Sequence, residues 1–255
     1  MTEVKSGHPK GLYVLFFSEM WERFCYYGMR TLLTLYLVKS LFMADEKAFA
    51  IYGAYTALIY AAPVLGGRIA DKILGYRNAV VFGGILMAIG EFLLLGGNEF
   101  WLYVGMGGII VGNGYFKANI STIVGKLYED GDPRRDSGFT IFYMGINLGA
   151  LLATTLCAYV GETYGFHYGF ALAGIGMLAG IFIFLRGQEK FIHAARPRDP
   201  EYLNAKVFGP ITRFHATMIL SILVIPVLFL LIKFNEILTP LLILIFIAVA
   251  ISLIT

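Results

Sequence analysis

The feature that most constrains this chain is EMWERFCYYGMR, residues 19–30, which sets four charges inside a long apolar segment. From roughly 11 to 42 no proline or turn cluster interrupts the apolar and aromatic run, so the sequence predicts one helix. At about 1.5 Å per residue that helix exceeds a bilayer core of about 30 Å, and Glu19, Glu22, Arg23 and Arg30 fall near its middle. A charge there costs at least about 2.5–3.5 kcal/mol on insertion scales, so it is expected to face a bundle interior or a watery cavity. Plotted at about 100° per residue, Glu19, Glu22, Arg23, Tyr26 and Arg30 lie within about ±60° of one direction. They form a stripe. Buried structural ion pairing is the simplest reading of it, and the i, i+4 spacing of Glu19 and Arg23 suits that reading. It leaves Arg30 with no partner on its own helix, and an unmatched charge at this depth points to function.

The rest of the chain places this helix among others. With 58% hydrophobic and 15% charged residues and a mean hydropathy of +0.73, the composition is that of an all-α polytopic membrane protein. Hydropathy and turn breakers predict spans at roughly 11–42, 48–71, 78–96, 100–126, 138–160 and 166–186. These make an N-terminal bundle over residues 1–190. A charged, proline-containing cytoplasmic linker follows over 191–212. Residues 213–255 hold two further apolar runs, 214–233 and 237–255, the second ending in ISLIT without flanking charge, so the chain is expected to be truncated. Small-residue pairs such as Gly108/Gly112, Gly145/Gly149 and Gly176/Gly180 suit close helix packing. Cys25 and Cys157 lie in predicted spans and the four histidines are dispersed, so neither a disulfide framework nor a metal site is expected. The first span is too long and too charged for a signal peptide. Asn119-Ile-Ser121 matches a glycosylation sequon but falls inside a span.

Lysine and arginine set the orientation. Fourteen collect on the side of the N-terminus and three (Lys39, Lys47, Lys233) on the other, with Arg23, Arg30 and Lys117 inside the membrane. The positive-inside rule then places the N-terminus in the cytoplasm, and no nucleic-acid partner is needed to explain the charge. Counting about 1.5 Å per residue from the cytoplasmic ends puts Glu22, Tyr60, Lys117 and Asn147 about 14–16 Å deep, each uncertain by about 3–6 Å. Each belongs to a stripe: Tyr52/Thr56/Tyr60, Asn113/Lys117/Ser121 and Tyr143/Asn147. Stripes of small and hydroxyl residues usually mean helix packing, but a mid-membrane lysine needs an anion. Glu22 is its best candidate and a ligand carboxylate the alternative. Three cations, two carboxylates, an amide and several phenols suit a small anion or zwitterion. A desolvated carboxylate favours its protonated form and a nearby cation the ionised one, so moving a cation between carboxylates can move a proton.

EMWERFCYYG resembles the E-x-x-E-R-F-x-Y-Y-G motif of the proton-coupled oligopeptide transporters, a family of the major facilitator superfamily. GNGYFKANIS, GDPRRDSGFTIFYMGINLGA and GGRIADKILGYR are also similar to that family, the last being a general superfamily feature, and the resemblance covers about 1–190. It implies a major-facilitator-type six-helix bundle, a two-helix insertion at 213–255, and a C-terminal bundle absent from this chain. It also implies proton-coupling roles for Glu19, Glu22, Arg23 and Lys117, with Lys117 pairing to Glu22 or to a peptide C-terminus. Arg23, Tyr26, Tyr27, Arg30, Tyr60, Lys117 and Asn147 would bind peptide, and Asp71 and Arg77 would help latch the inward gate. Ala118 departs from the proline that often follows the lysine in the family.

The function expected is proton symport of di- and tripeptides across the plasma or inner membrane by a multi-pass carrier. It would use no cofactor beyond the proton as coupling ion, carry out no enzymatic step, and need the missing half of the same protein. A relative handling another small anion or zwitterion, such as nitrate, is the alternative, and a non-transporting membrane subunit or a channel is the reading from a different class. A channel would need a charge ring or carbonyl filter, and an intramembrane enzyme a nucleophile–base pair or metal-spaced cluster; neither pattern is visible.

Overall fold

The ends of the helices fall where the local chemistry stops or starts them. In the computed structural model, which describes residues 7–237 and residue 240, α1 (Lys10–Lys39) begins directly after Pro9, a residue that cannot donate a helical hydrogen bond. Helix α2 (Asp45–Ile69) opens with Asp45 and Glu46 in its first turn, where acids complement the helix dipole. It runs on through a π turn at Ala70–Leu74 to Gly75. Gly75 has φ of +74°, a left-handed conformation that favours glycine, and it redirects the chain into α3 (Tyr76–Leu93). The Asn98 side chain caps α4 (Glu99–Gly125) by accepting from the Trp101 amide. Helix α5 (Arg135–Tyr164) ends at Gly165, from which α6 (Phe166–Gly187) starts.

All six predicted bundle spans are therefore helices. Among the described residues, five stretches are long and apolar enough to cross a membrane: Asp45–Leu74, Tyr76–Gly96, Arg135–Tyr164, Phe166–Lys190 and Arg213–Lys233. Helices α1 and α4 are outside that set because they carry the polar groups of the site. They are held by packing instead. Helix α1 lies against α5 and α6, while α4 lies against α2 and α3. Glycine makes the approaches possible: a Cβ on Gly66 would sit 2.1 Å from the Gly114 carbonyl oxygen, and one on Gly149 would sit 2.2 Å from that of Met20.

Past α6 the chain stays on the bundle. Residues 191–212, which composition alone marks as a linker, carry α7 (Ile192–Ala195), α8 (Pro200–Asn204) and an antiparallel hairpin of β1 (Lys206–Phe208) and β2 (Ile211–Thr212). Phe191 and Ala195 are fully buried. The predicted span 214–233 is two helices, α9 (Arg213–Leu223) and α10 (Ile225–Lys233), with Pro226 in the first turn of the second. This pair is fastened to α4, with Tyr115 Oη 2.6 Å from Ser221 Oγ and the Phe229 ring against Phe100 and Tyr103. The run 237–255 lies outside the described residues apart from 237 and 240.

Candidate functional site

The charged stripe of α1 is buried against α4. Glu19 and Glu22 are fully buried and Arg23 nearly so. Arg23 clasps Glu22 through Nε and Nη2, and its Nε lies 3.4 Å from Glu19 Oε1, as the i, i+4 spacing predicts. Asn113 Nδ2 on α4 donates to Glu22 Oε1 at 3.0 Å. One turn further along α4, Lys117 Nζ pairs with Glu19 Oε1 at 2.5 Å.

This corrects the expected Glu22–Lys117 bridge. The helices run antiparallel, so moving three residues back on α1 from Glu22 to Glu19 matches moving four forward on α4 from Asn113 to Lys117. Glu22 Oε1 already accepts from Arg23 and Asn113 and its Oε2 from Arg23. Glu19 offers the vacant lone pairs, and its Oε2 has no hydrogen-bond partner among the described residues. The Lys117 side chain retains 29% of its exposure, against none for Glu19. The pair therefore lies at the border of the buried network.

Arg30 finds the partner its own helix could not supply. Its Nε donates to Tyr52 Oη at 2.5 Å, and its guanidinium stands 5.5 Å from the centre of that ring. Among the described residues it is paired with no carboxylate. Arg23 stands 4.8 Å from the Tyr26 ring, and Tyr26 packs edge-on against the half-buried Tyr27. Tyr60 on α2 approaches Tyr26 and is itself 64% exposed. Asn147 is exposed and donates to the Tyr143 carbonyl of its own helix, so the described contacts leave it outside the charged network. Gly149, two residues on, is where α5 meets Met20 and Arg23.

The α2–α3 turn holds Asp71 and Arg77 on separate partners. Tyr76 Oη donates to Asp71 at 2.6 Å. Arg77 donates to Gln188 at 2.7 Å and to Asn78 at 3.1 Å, which ties the turn to the end of α6. Sequence reasoning passed over Glu91. It is fully buried on α3, 3.5 Å from the Cys25 thiol, and its signal was a lone carboxyl inside the apolar run 78–96.

Three comparisons bear on this arrangement. The chain is 44% identical over 206 residues to the uncharacterized transporter YclF of Bacillus subtilis, a match covering 78% of this chain and 42% of that protein. It is 40% identical over 178 residues to dipeptide and tripeptide permease B of Aliivibrio fischeri, covering 69% and 36%. A crystal structure of a peptide transporter POT in complex with sulfate superposes with a TM-score of 0.73 at 40% identity, covering 91% of this chain and 48% of that one. The chain thus spans about half the length of the proteins it matches or less. With the model of the POT family matching residues 77–254, and 91% of the chain superposing on a solved POT fold, this multi-pass membrane protein belongs to the POT family.

Proposed function

We propose that the chain supplies one six-helix bundle of a proton-driven importer of di- and tripeptides. A second bundle, corresponding to the rest of the relatives' length, would complete the path by alternating access. The protein would sit in the cell membrane with its N-terminus in the cytoplasm, in line with the lysine and arginine bias. The observation that carries this reading is the charge balance of the network. Glu19 and Glu22 are matched by Arg23 and Lys117, while Arg30 donates to the Tyr52 phenol and, among the described residues, pairs with no carboxylate. One cation is left for a substrate carboxylate.

Coupling follows from Lys117 at the network's edge. A peptide carboxylate that draws Lys117 away leaves Glu19 with Arg23 only, and Arg23 is already committed to Glu22. A proton then neutralises Glu19 better than an incomplete ion pair does. In this scheme Glu19, Glu22, Arg23 and Lys117 manage the proton. Arg23, Arg30, Tyr26, Tyr27, Tyr60, Lys117 and Asn147 border the peptide, while Asp71 and Arg77 serve the cytoplasmic gate. The experiment is binding of a dipeptide and its C-terminal amide to the full-length protein. Removing the charge is expected to weaken binding by more than the about 1 kcal/mol net worth of a neutral hydrogen bond. Equal affinities would move the substrate to another class.

A further inference from the structure

Glu91 lies fifteen residues beyond Tyr76 on α3, about 22 Å along the helix axis, far from the turn that ties α3 to the cytoplasmic side. No atom of its residue reaches the surface. Because the described bundle alone already covers it, its burial does not depend on any further chain. The groups facing it can be named helix by helix. Helix α1 contributes Cys25, whose Sγ lies 3.5 Å from Glu91 Oε1. Tyr55 on α2 and Cys157 on α5 are its other titratable neighbours, and Gly174 on α6 lies against its Cβ. Glu22 is near the same Cys25 thiol, but its charge is taken up by Arg23. Among the described residues, Oε2 of Glu91 has no hydrogen-bond partner, and no lysine, arginine or histidine forms an ion pair with Glu91.

A carboxylate ion in that position would be an unpaired buried charge, which native bundles avoid by pairing or by neutralisation. A neutral acid fits the contacts better. With its proton on Oε1, the O–H points at Cys25 Sγ, and Oε2 remains as a carbonyl oxygen, the cheaper group to leave without a donor. We propose that Glu91 is a proton-binding site in its own right, carried as the neutral acid between α1, α3 and α6 and hydrogen-bonded to Cys25, separate from the Glu19/Lys117 pair. Its proton comes from water and can leave only when α1 parts from α3.

The test is isotope-edited infrared spectroscopy of the full-length protein in lipid nanodiscs at about pH 8, well above the ordinary glutamate range. A protonated-carboxyl C=O band is expected in the wild type and is expected to be lost in Glu91→Gln. Cys25→Ser is expected to shift that band, since a hydroxyl bonds to the acid more strongly than a thiol does. Ionised carboxylate bands at Glu91 in the wild type would overturn the proposal. So would a band that survives Glu91→Gln or ignores Cys25→Ser. Should Glu91→Gln fold poorly, the wild-type spectrum and the Cys25→Ser shift still decide the matter. None of these readouts depends on peptide transport.

Discussion

Which carboxylate Lys117 answers to can be measured without transport. Lys117→Ala removes the amine that pairs with Glu19 Oε1 and leaves Glu19, with no exposure, beside an Arg23 that is 3.4 Å away and engaged with Glu22. Breaking a buried pair by deleting one partner costs about 3–5 kcal/mol, most of it from the stranded charge. Because Lys117 keeps 29% of its side-chain exposure, the lower end, about 3 kcal/mol, is the expected loss in the full-length protein. Glu19→Gln removes the stranded charge, so the double variant Glu19→Gln/Lys117→Ala should recover much of it. Thermal and denaturant unfolding in detergent would give the double-mutant cycle. A Glu19–Lys117 coupling in the range of about 0.5–3 kcal/mol is expected for groups in contact. The parallel cycle with Glu22→Gln should give the smaller value. A larger coupling for Glu22 would refute the register of α1 against α4 described above.

Two more outcomes follow from the same contacts. Asn113→Ala should cost about 1.5–3 kcal/mol of stability, the worth of a hydrogen bond to a charged group, and Asn113→Asp should cost more because it adds a carboxylate 3.0 Å from Glu22 Oε1; both are read from unfolding midpoints of the full-length protein. Gly66→Ala places a Cβ 2.1 Å from the Gly114 carbonyl oxygen, so α2 and α4 must part, at about 1–3 kcal/mol for an overpacked contact, visible as a lowered thermal midpoint.

How much of this was legible in the sequence depends on the direction of the information. Along the chain, apolar runs and breakers located all six bundle helices, and the charged stripe identified the face of α1 that matters. Across the chain, a single sequence is nearly silent. Glu19 and Glu22 differ in depth by about 4.5 Å, within the uncertainty of counting residues from a helix end, so the choice between them as partner of Lys117 needed the α1–α4 register. Arg30 could not be matched to Tyr52 for the same reason, since their contact joins two helices. The segment 191–212 looked like a linker because its charges and prolines outweigh Phe191, Ala195 and Leu203, three residues that are in fact buried. Pro226 was visible, yet the apolar run around it concealed the division into α9 and α10. Glu91 was hidden by its position near the end of a predicted span, where a carboxyl is usually assumed to reach the interface.

In the proposed cycle, Lys117 exchanges the Glu19 carboxylate for a substrate carboxylate and so admits a proton. Its most direct test compares two modes of peptide movement by well-folded full-length Lys117→Ala in proteoliposomes. Gradient-driven uptake requires the proton cycle and is predicted to collapse, whereas counterflow of labelled against unlabelled dipeptide requires no net proton movement and is predicted to persist in part. Wild-type gradient-driven uptake by this variant would contradict the account.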